Sequence, residues 1–186
     1  MTTRTIVRRS LAAVAVAGVV AGATALSVGA ASADNGYGPN LLPCTSNQFT
    51  TALVEDITSS GERDAAIQFT AKVGERCFLQ GVPNVEISGA HNVLLDNQAP
   101  ADAPGVALAD GSQAAYIPLH WTVFERGGLR QTPNGITFTA PSDSNAHGDY
   151  IDPNTLLDWN LGAVDASHAN HTITVGAVTQ GVAFTK

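Results

Sequence analysis

The sequence predicts an all-β protein, an immunoglobulin-like antiparallel β-sandwich with one disulfide, with a small closed β-barrel as the alternative fold. Three observations carry this. Apolar residues recur at period two in several short runs, turn signals separate those runs at roughly ten-residue spacing, and the chain holds two cysteines, Cys44 and Cys77.

Taken in chain order, residues 1–33 read as a signal peptide: Arg4, Arg8 and Arg9 form a positive start, Leu11 to Val28 is an Ala/Val-rich apolar run, and Ala31-Ser32-Ala33 is a small-residue cleavage site. Arg8-Arg9-Ser10-Leu11 is an incomplete twin-arginine pattern, and no cysteine at position 34 marks a lipoprotein. Residues 34–43, rich in Gly, Pro and Asn, read as a flexible tether, and residues 44–186 as a single sandwich domain. Within it Ile67, Phe69, Ala71 and Val73 alternate with polar residues. Ile117, Leu119, Trp121 and Val123 do the same, followed by Ile136, Phe138 and Ala140 and by Ile173, Val175 and Ala177. Gly81-Val82-Pro83-Asn84, Asp110-Gly111, Gly127-Gly128 and Pro133-Asn134-Gly135 punctuate these runs. Asp152 to Leu161 is the one stretch with helical character, Asp152 serving as cap, Pro153 as first helical residue, and Leu156, Leu157 and Leu161 as the apolar side. Pro118 inside a strand pattern calls for an edge strand or a bulge.

The net charge is −7, and it moves to about −10 when the leader takes away its three arginines and no acid. That balance argues against a nucleic-acid binder, and the loss of the leader leaves no segment for stable membrane insertion. In an oxidising exterior an even cysteine count reads as a Cys44–Cys77 bridge, since two sulfurs without C-x-x-C spacing make neither a redox pair nor a zinc site. Such a loop closure is worth about 3 to 4 kcal/mol in the chain-entropy description.

Cys44-Thr45-Ser46-Asn47-Gln48-Phe49, Cys77-Phe78-Leu79-Gln80-Gly81-Val82-Pro83-Asn84-Val85 and Leu108-Ala109-Asp110-Gly111-Ser112-Gln113-Ala114 together resemble the secreted actinobacterial family called domain of unknown function 4232. Its pattern has C-x-L-x-G-x-P-x-V at its centre and L-x-x-G-x-x-A before a sandwich strand. The resemblance implies an immunoglobulin-like sandwich in an exported or cell-surface protein and no known catalytic residues. Many members carry a second cysteine pair in the C-terminal half, which this chain lacks.

Candidate sites are few. No G-x-S-x-G elbow is present, and the acids are scattered singly rather than paired as in glycosidases. Asp143, Asn145 and Asp149 place oxygen donors around Gly148 as a calcium loop would. His147 occupies one ligand position, however, and Asn154 stands where a closing Glu is needed, so no cofactor is expected, with weak calcium binding as the alternative. Asp165, His168 and His171 recur every three residues and would share a helix face able to chelate zinc or copper, but Ala163 to Asn170 reads as loop. Tyr116, His120 and Phe124 lie opposite Ile117, Leu119 and Trp121, so they are either covered or form a contact surface.

These features favour a secreted, non-catalytic binding domain whose partner is a protein or a cell-wall glycan. A hydrolase inhibitor presenting Gly127 to Asn134 or Pro141 to Asp152 is the alternative, and a hydrolase the third reading, favoured by histidine and acid groups in contact within a pocket. N-terminal sequencing of protein from culture supernatant is expected to begin at Asp34; intact Met1 protein in the membrane fraction would contradict the leader assignment.

Overall fold

The computed structural model describes residues 41–56, 61–110, 113–123 and 129–184; the leader, the tether up to residue 40 and Phe124 lie outside them. Thirteen strands are described: β1 (Phe49–Asp56), β2 (Glu62–Ala71), β3 (Arg76–Leu79), β4 (Val85–Ser88), β5 (Leu94–Asn97), β6 (Val106–Ala109), β7 (Ala114–Thr122), β8 (Arg130–Gln131), β9 (Gly135–Thr139), β10 (Asn154–Asp158), β11 (Val164–Asp165), β12 (Thr172–Val175) and β13 (Thr179–Gln180). The only helical piece among them is a 3-10 turn at Ser46–Gln48.

One layer is a sheet in the order β1-β2-β7-β12-β5, with β13 also pairing with β7. Facing it are three short ladders, β10-β9-β4, β3-β6 and β11-β8. The pairings are antiparallel except β12 with β5, which run parallel at the sheet edge. The period-two reading of the sequence is the physical basis of this layering. Along β7, Ala115, Ile117, Leu119 and Trp121 are buried, while Tyr116, Pro118 and His120 on the other face are half-buried. Phe49, Phe69 and Phe138 join the two layers through edge-to-face ring contacts with centroids 4.7 to 6.0 Å apart, a geometry that aromatic quadrupoles favour.

Three expectations are corrected. The segment with helical character is strand β10: Asp152 Oδ1 accepts the Asn154 N–H (3.0 Å), turning the chain, and Leu156 and Leu157 then point to opposite sides, Leu157 buried against the core and Leu156 exposed. Val73 is not a strand residue but sits 90% exposed in the turn after β2. Pro118 lies in the central strand rather than at an edge, and it is accommodated by a break in the neighbouring ladder. Gly176 N–H donates to Pro118 O (3.0 Å), so the polar edge of Pro118 that lacks a donor faces the gap between β12 and β13. A Cβ at Gly176 would lie 2.6 Å from Pro118 Cγ, which is why the crossing chain has glycine there.

The C-x-L-x-G-x-P segment can be explained residue by residue. Cys77 is disulfide-bonded to Cys44, both sulfurs belonging to buried residues, and Leu79 is fully buried. The bridge is flanked by backbone bonds from Cys44 N–H to Phe78 O and from Phe78 N–H to Leu42 O. Gly81 passes so close to the next loop that a Cβ would meet the Ala103 carbonyl oxygen at 2.2 Å and that of Pro104 at 2.4 Å. Its own carbonyl accepts from Val178 N–H, tying this turn to the gap before β13. Pro83 is buried, and its carbonyl accepts from Asn97 Nδ2 at 2.8 Å. In the C-terminal half, Trp159 stacks at a tilt on Trp121 (5.5 Å) and donates its indole N–H to Gly162 O (2.7 Å), holding a region that has no disulfide of its own.

Gly81→Ala must displace two backbone carbonyls, so it is expected to lower unfolding free energy by at least about 2 kcal/mol. Urea denaturation measures this, and a midpoint equal to the parent's would show that the loop yields without cost.

Candidate functional site

Several places among the described residues collect polar side chains beside a cavity, one of about 360 Å³ lying between Gln48, Glu75 and Arg76 and the turn of Asn145 and His147; two others hold the remaining histidine candidates. The first is the outer face of the large sheet. Tyr116 and His120 are both there, half-buried, while Phe124 lies outside the described residues. His120 Nδ1 is 2.7 Å from Asp64 Oδ1, across the β2–β7 ladder, and its Nε2 is 3.6 Å from Glu62 Oε2. Both ring nitrogens therefore face carboxylates, and Thr174 Oγ1 donates to the His120 backbone carbonyl rather than to the ring. A shallow cavity of about 180 Å³ lies here, lined in part by Asp64, Pro118, His120, Gly176 and Phe184. The C-terminal segment is fastened over the same face. Gln68 Oε1 accepts the Ala183 N–H (2.7 Å), and Gln68 Nε2 donates to Ala115 O and Gly181 O. Histidine and acid are thus in contact, but Glu62 stands where a nucleophile would have to sit.

The second place is built by loops at one end of the sandwich. Ala90 to Val93 forms a turn, Val93 N–H donating to Ala90 O, with His91 and Asn92 at its centre. Ser167 to Asn170 forms another, Asn170 N–H donating to Ser167 O, with His168 at its first central position. His171 follows it and leads into β12, where its carbonyl accepts from Leu94 N–H (2.8 Å) and so joins the two turns. A cleft of about 450 Å³ opens between them, lined by His91, Asn92, Leu94, Leu129, Ala166, His168 and His171. Among the described residues no carboxylate lines it. Leu94 and Leu129 are 54% and 66% exposed, well above what core leucines show.

Asp165 organises this second place without lining it. Only 4% exposed, it accepts from Ser167 N–H at Oδ1 (2.8 Å) and from Asn170 Nδ2 at Oδ2 (3.2 Å). The Ser167 backbone and side-chain bonds outweigh burial and hold its carboxyl below the ordinary 3.8. The triplet read in the sequence therefore divides: His168 and His171 stand with ring centres 5.6 Å apart and nearly perpendicular, and Asp165 is the scaffold of their loop. His91, about eighty residues away in sequence, completes the cleft without any local signal to announce it.

Asn145 and Asp149 meet in one turn, while Asp143 Oδ1 accepts from the neighbouring Ser144 Oγ (3.0 Å). Asn145 Oδ1 accepts from the N–H groups of His147 and Asp149, both at 2.9 Å, while Asn145 Nδ2 donates to Asp149 Oδ2 (3.0 Å). Among the described residues no set of three or more His, Cys, Asp or Glu side chains is placed to hold a metal ion, and no helix is long and apolar enough to cross a membrane.

Because the Asp165 carboxyl is held below its unfolded value, its stabilising contribution is complete above pH 3.8 and is lost as pH falls through the folded value. Asp165→Asn is therefore expected to be less stable than the parent at pH 7 and to converge towards it in acid. Parallel denaturation curves at pH 7 and pH 3 test this, and a constant difference between the two proteins would remove the charge from the explanation.

No curated protein and no solved structure matches the chain. The family described as a domain of unknown function, DUF4232, matches over residues 44–179, from the first cysteine of the bridge to the first residue of β13, and the chain belongs to that family.

Proposed function

We propose that this is an exported, non-catalytic binding module that works through the cleft between the His91 turn and the His168 turn. The observation that carries the reading is the cleft itself. Its volume of about 450 Å³ falls within the range of small-ligand sites, and it combines exposed Leu94 and Leu129 with three imidazoles, His168 and His171 on the loop that buried Asp165 fixes and His91 on the turn opposite. Export is supported by the leader pattern and agrees with the buried Cys44–Cys77 bridge. The sheet face at Tyr116 and His120 is a poorer docking surface, because Gly181 to Phe184 lies over part of it. An excess of acid keeps anionic polymers away from the molecule, whereas the cleft presents neutral or cationic donors and apolar surface, which suits an uncharged or electron-poor ligand.

A hydrolase reading has one observation behind it, the Asp64–His120 contact, and the Glu62 carboxylate near Nε2 argues for an ion-pair role instead. The exported protein, isotopically labelled, should be titrated with low-molecular-weight fractions of the producing cell's envelope while amide resonances are followed. Perturbation is expected at Asn92, Leu94, Leu129 and Ala166, and it should vanish in Leu129→Asp. Perturbation confined to Tyr116 and Gln180 would move the site to the sheet face, and ester, peptide or glycoside turnover abolished by His120→Ala would replace the binding reading altogether.

A further inference from the structure

The cleft's histidines carry more information than their number. His171 Nδ1 lies 3.0 Å from the Ser167 carbonyl oxygen, which can only accept, so Nδ1 carries a proton and Nε2 is the nitrogen that offers a lone pair in the neutral ring. An imidazole whose one nitrogen donates to a backbone carbonyl is the arrangement that fixes the tautomer and ring orientation of metal-ligating histidines. Two imidazoles that each place a nitrogen about 2 Å from one ion stand with ring centres roughly 4.5 to 6.5 Å apart, according to the angle at the ion. The His168 and His171 rings are 5.6 Å apart. Their loop is held in place without the ion's help, by Asp165 through Ser167 and Asn170 and by the Leu94 N–H bond to His171 O.

We propose that His168 and His171 form a transition-metal site in this cleft, copper(II) being held more tightly than nickel(II) or zinc(II). The proposal rests on the reading of the cleft as a ligand site and names its ligand class. Donor chemistry sets the choice of ion: two imidazoles, with no carboxylate among the described residues that line the cleft, suit borderline metals and not calcium or magnesium, and at a nitrogen site copper(II) heads the divalent series. The site is a pair, so the remaining coordination positions open onto the cleft, where water or the side chain of a bound partner completes the shell.

Copper(II), nickel(II) and zinc(II) chlorides, each alone, should be titrated calorimetrically into the metal-stripped exported protein, with copper(II) paramagnetic resonance as a second readout. One equivalent of copper(II) showing nitrogen hyperfine structure is expected. His168→Ala and His171→Ala should each weaken it at least as much as loss of an outer-shell partner does, about 10- to 100-fold, with unchanged melting temperature in the absence of metal. His147→Ala, on a different turn, should bind as the parent does. Nitrogen-15 spectra of the metal-free imidazoles should show His171 protonated at Nδ1. Copper affinity indifferent to both cleft substitutions, or His171 protonated at Nε2, would overturn the metal site. If envelope ligands still perturb Leu129 and Ala166 in that case, the cleft survives as a binding site and only the metal is lost.

Discussion

The molecule is organised by one strand and by the one residue in it that cannot donate a hydrogen bond. β7 lies at the centre of the large sheet, pairing with β2 along its whole length and carrying Ala115, Ile117, Leu119 and Trp121 into the core. Because Pro118 lacks an N–H, the strand on its other side cannot run unbroken. β12 stops at Val175, the chain passes over the proline ring at Gly176, and pairing resumes as β13 at Thr179. That displacement returns the C-terminus across the outer face of the sheet, where Gln68 fastens it through both ends of its amide. A face that alternation alone leaves open is thus partly closed by the protein's own chain.

The opposite layer has no strand of comparable length and is divided into three short ladders. Short ladders bury little each, so their positions have to be fixed from outside. The Cys44–Cys77 bridge does this for β3, close approach at Gly81 does it for the loop before β6, and the Trp159 indole does it for the region after β10. In this chain Cys77, Leu79, Gly81 and Pro83, within seven residues, each answer a separate constraint of covalent linkage, burial, clearance or backbone direction at one corner of the sandwich.

How much of this can be read from the sequence follows from the range of the forces involved. Period-two burial is local, so the strands around Ile67, Ile117, Ile136 and Ile173 are legible, and so is the disulfide, because only two cysteines exist to form it. The helical reading of Asp152 to Leu161 fails because adjacent Leu156 and Leu157 pair with Thr137 and Ile136 of β9 and point to opposite sides, and Leu161 lies beyond β10. Pro118 signals an irregularity correctly, but whether that is a sheet edge or a break in the neighbouring strand depends on Gly176, nearly sixty residues later. The cleft is the least legible part, since His91 and His171 are brought together by the parallel pairing of β5 with β12, and a parallel neighbour has no short turn to betray it.

That same pairing gives the cleft its mechanical character. Its walls are two tight turns at the starts of adjacent strands, so each is anchored to a hydrogen-bonded ladder, at Leu94 three residues after His91 and at Thr172 next to His171. Asp165 adds a buried charge whose acceptors are taken up by the turn that carries His168, and turning that carboxylate elsewhere would leave it unpaired in the interior at a cost of a few kcal/mol. Loops built this way do not need a ligand to order them, and little conformational entropy is lost on binding. The acids that give the chain its negative charge include Glu62, Asp64 and Asp165, each already engaged in a hydrogen bond or ion pair, and none of them lines the cleft. In the metal site proposed above, the long-range field of an acidic protein would draw any cation towards the cleft, while imidazole nitrogens would retain those that prefer nitrogen, which separates attraction from selection.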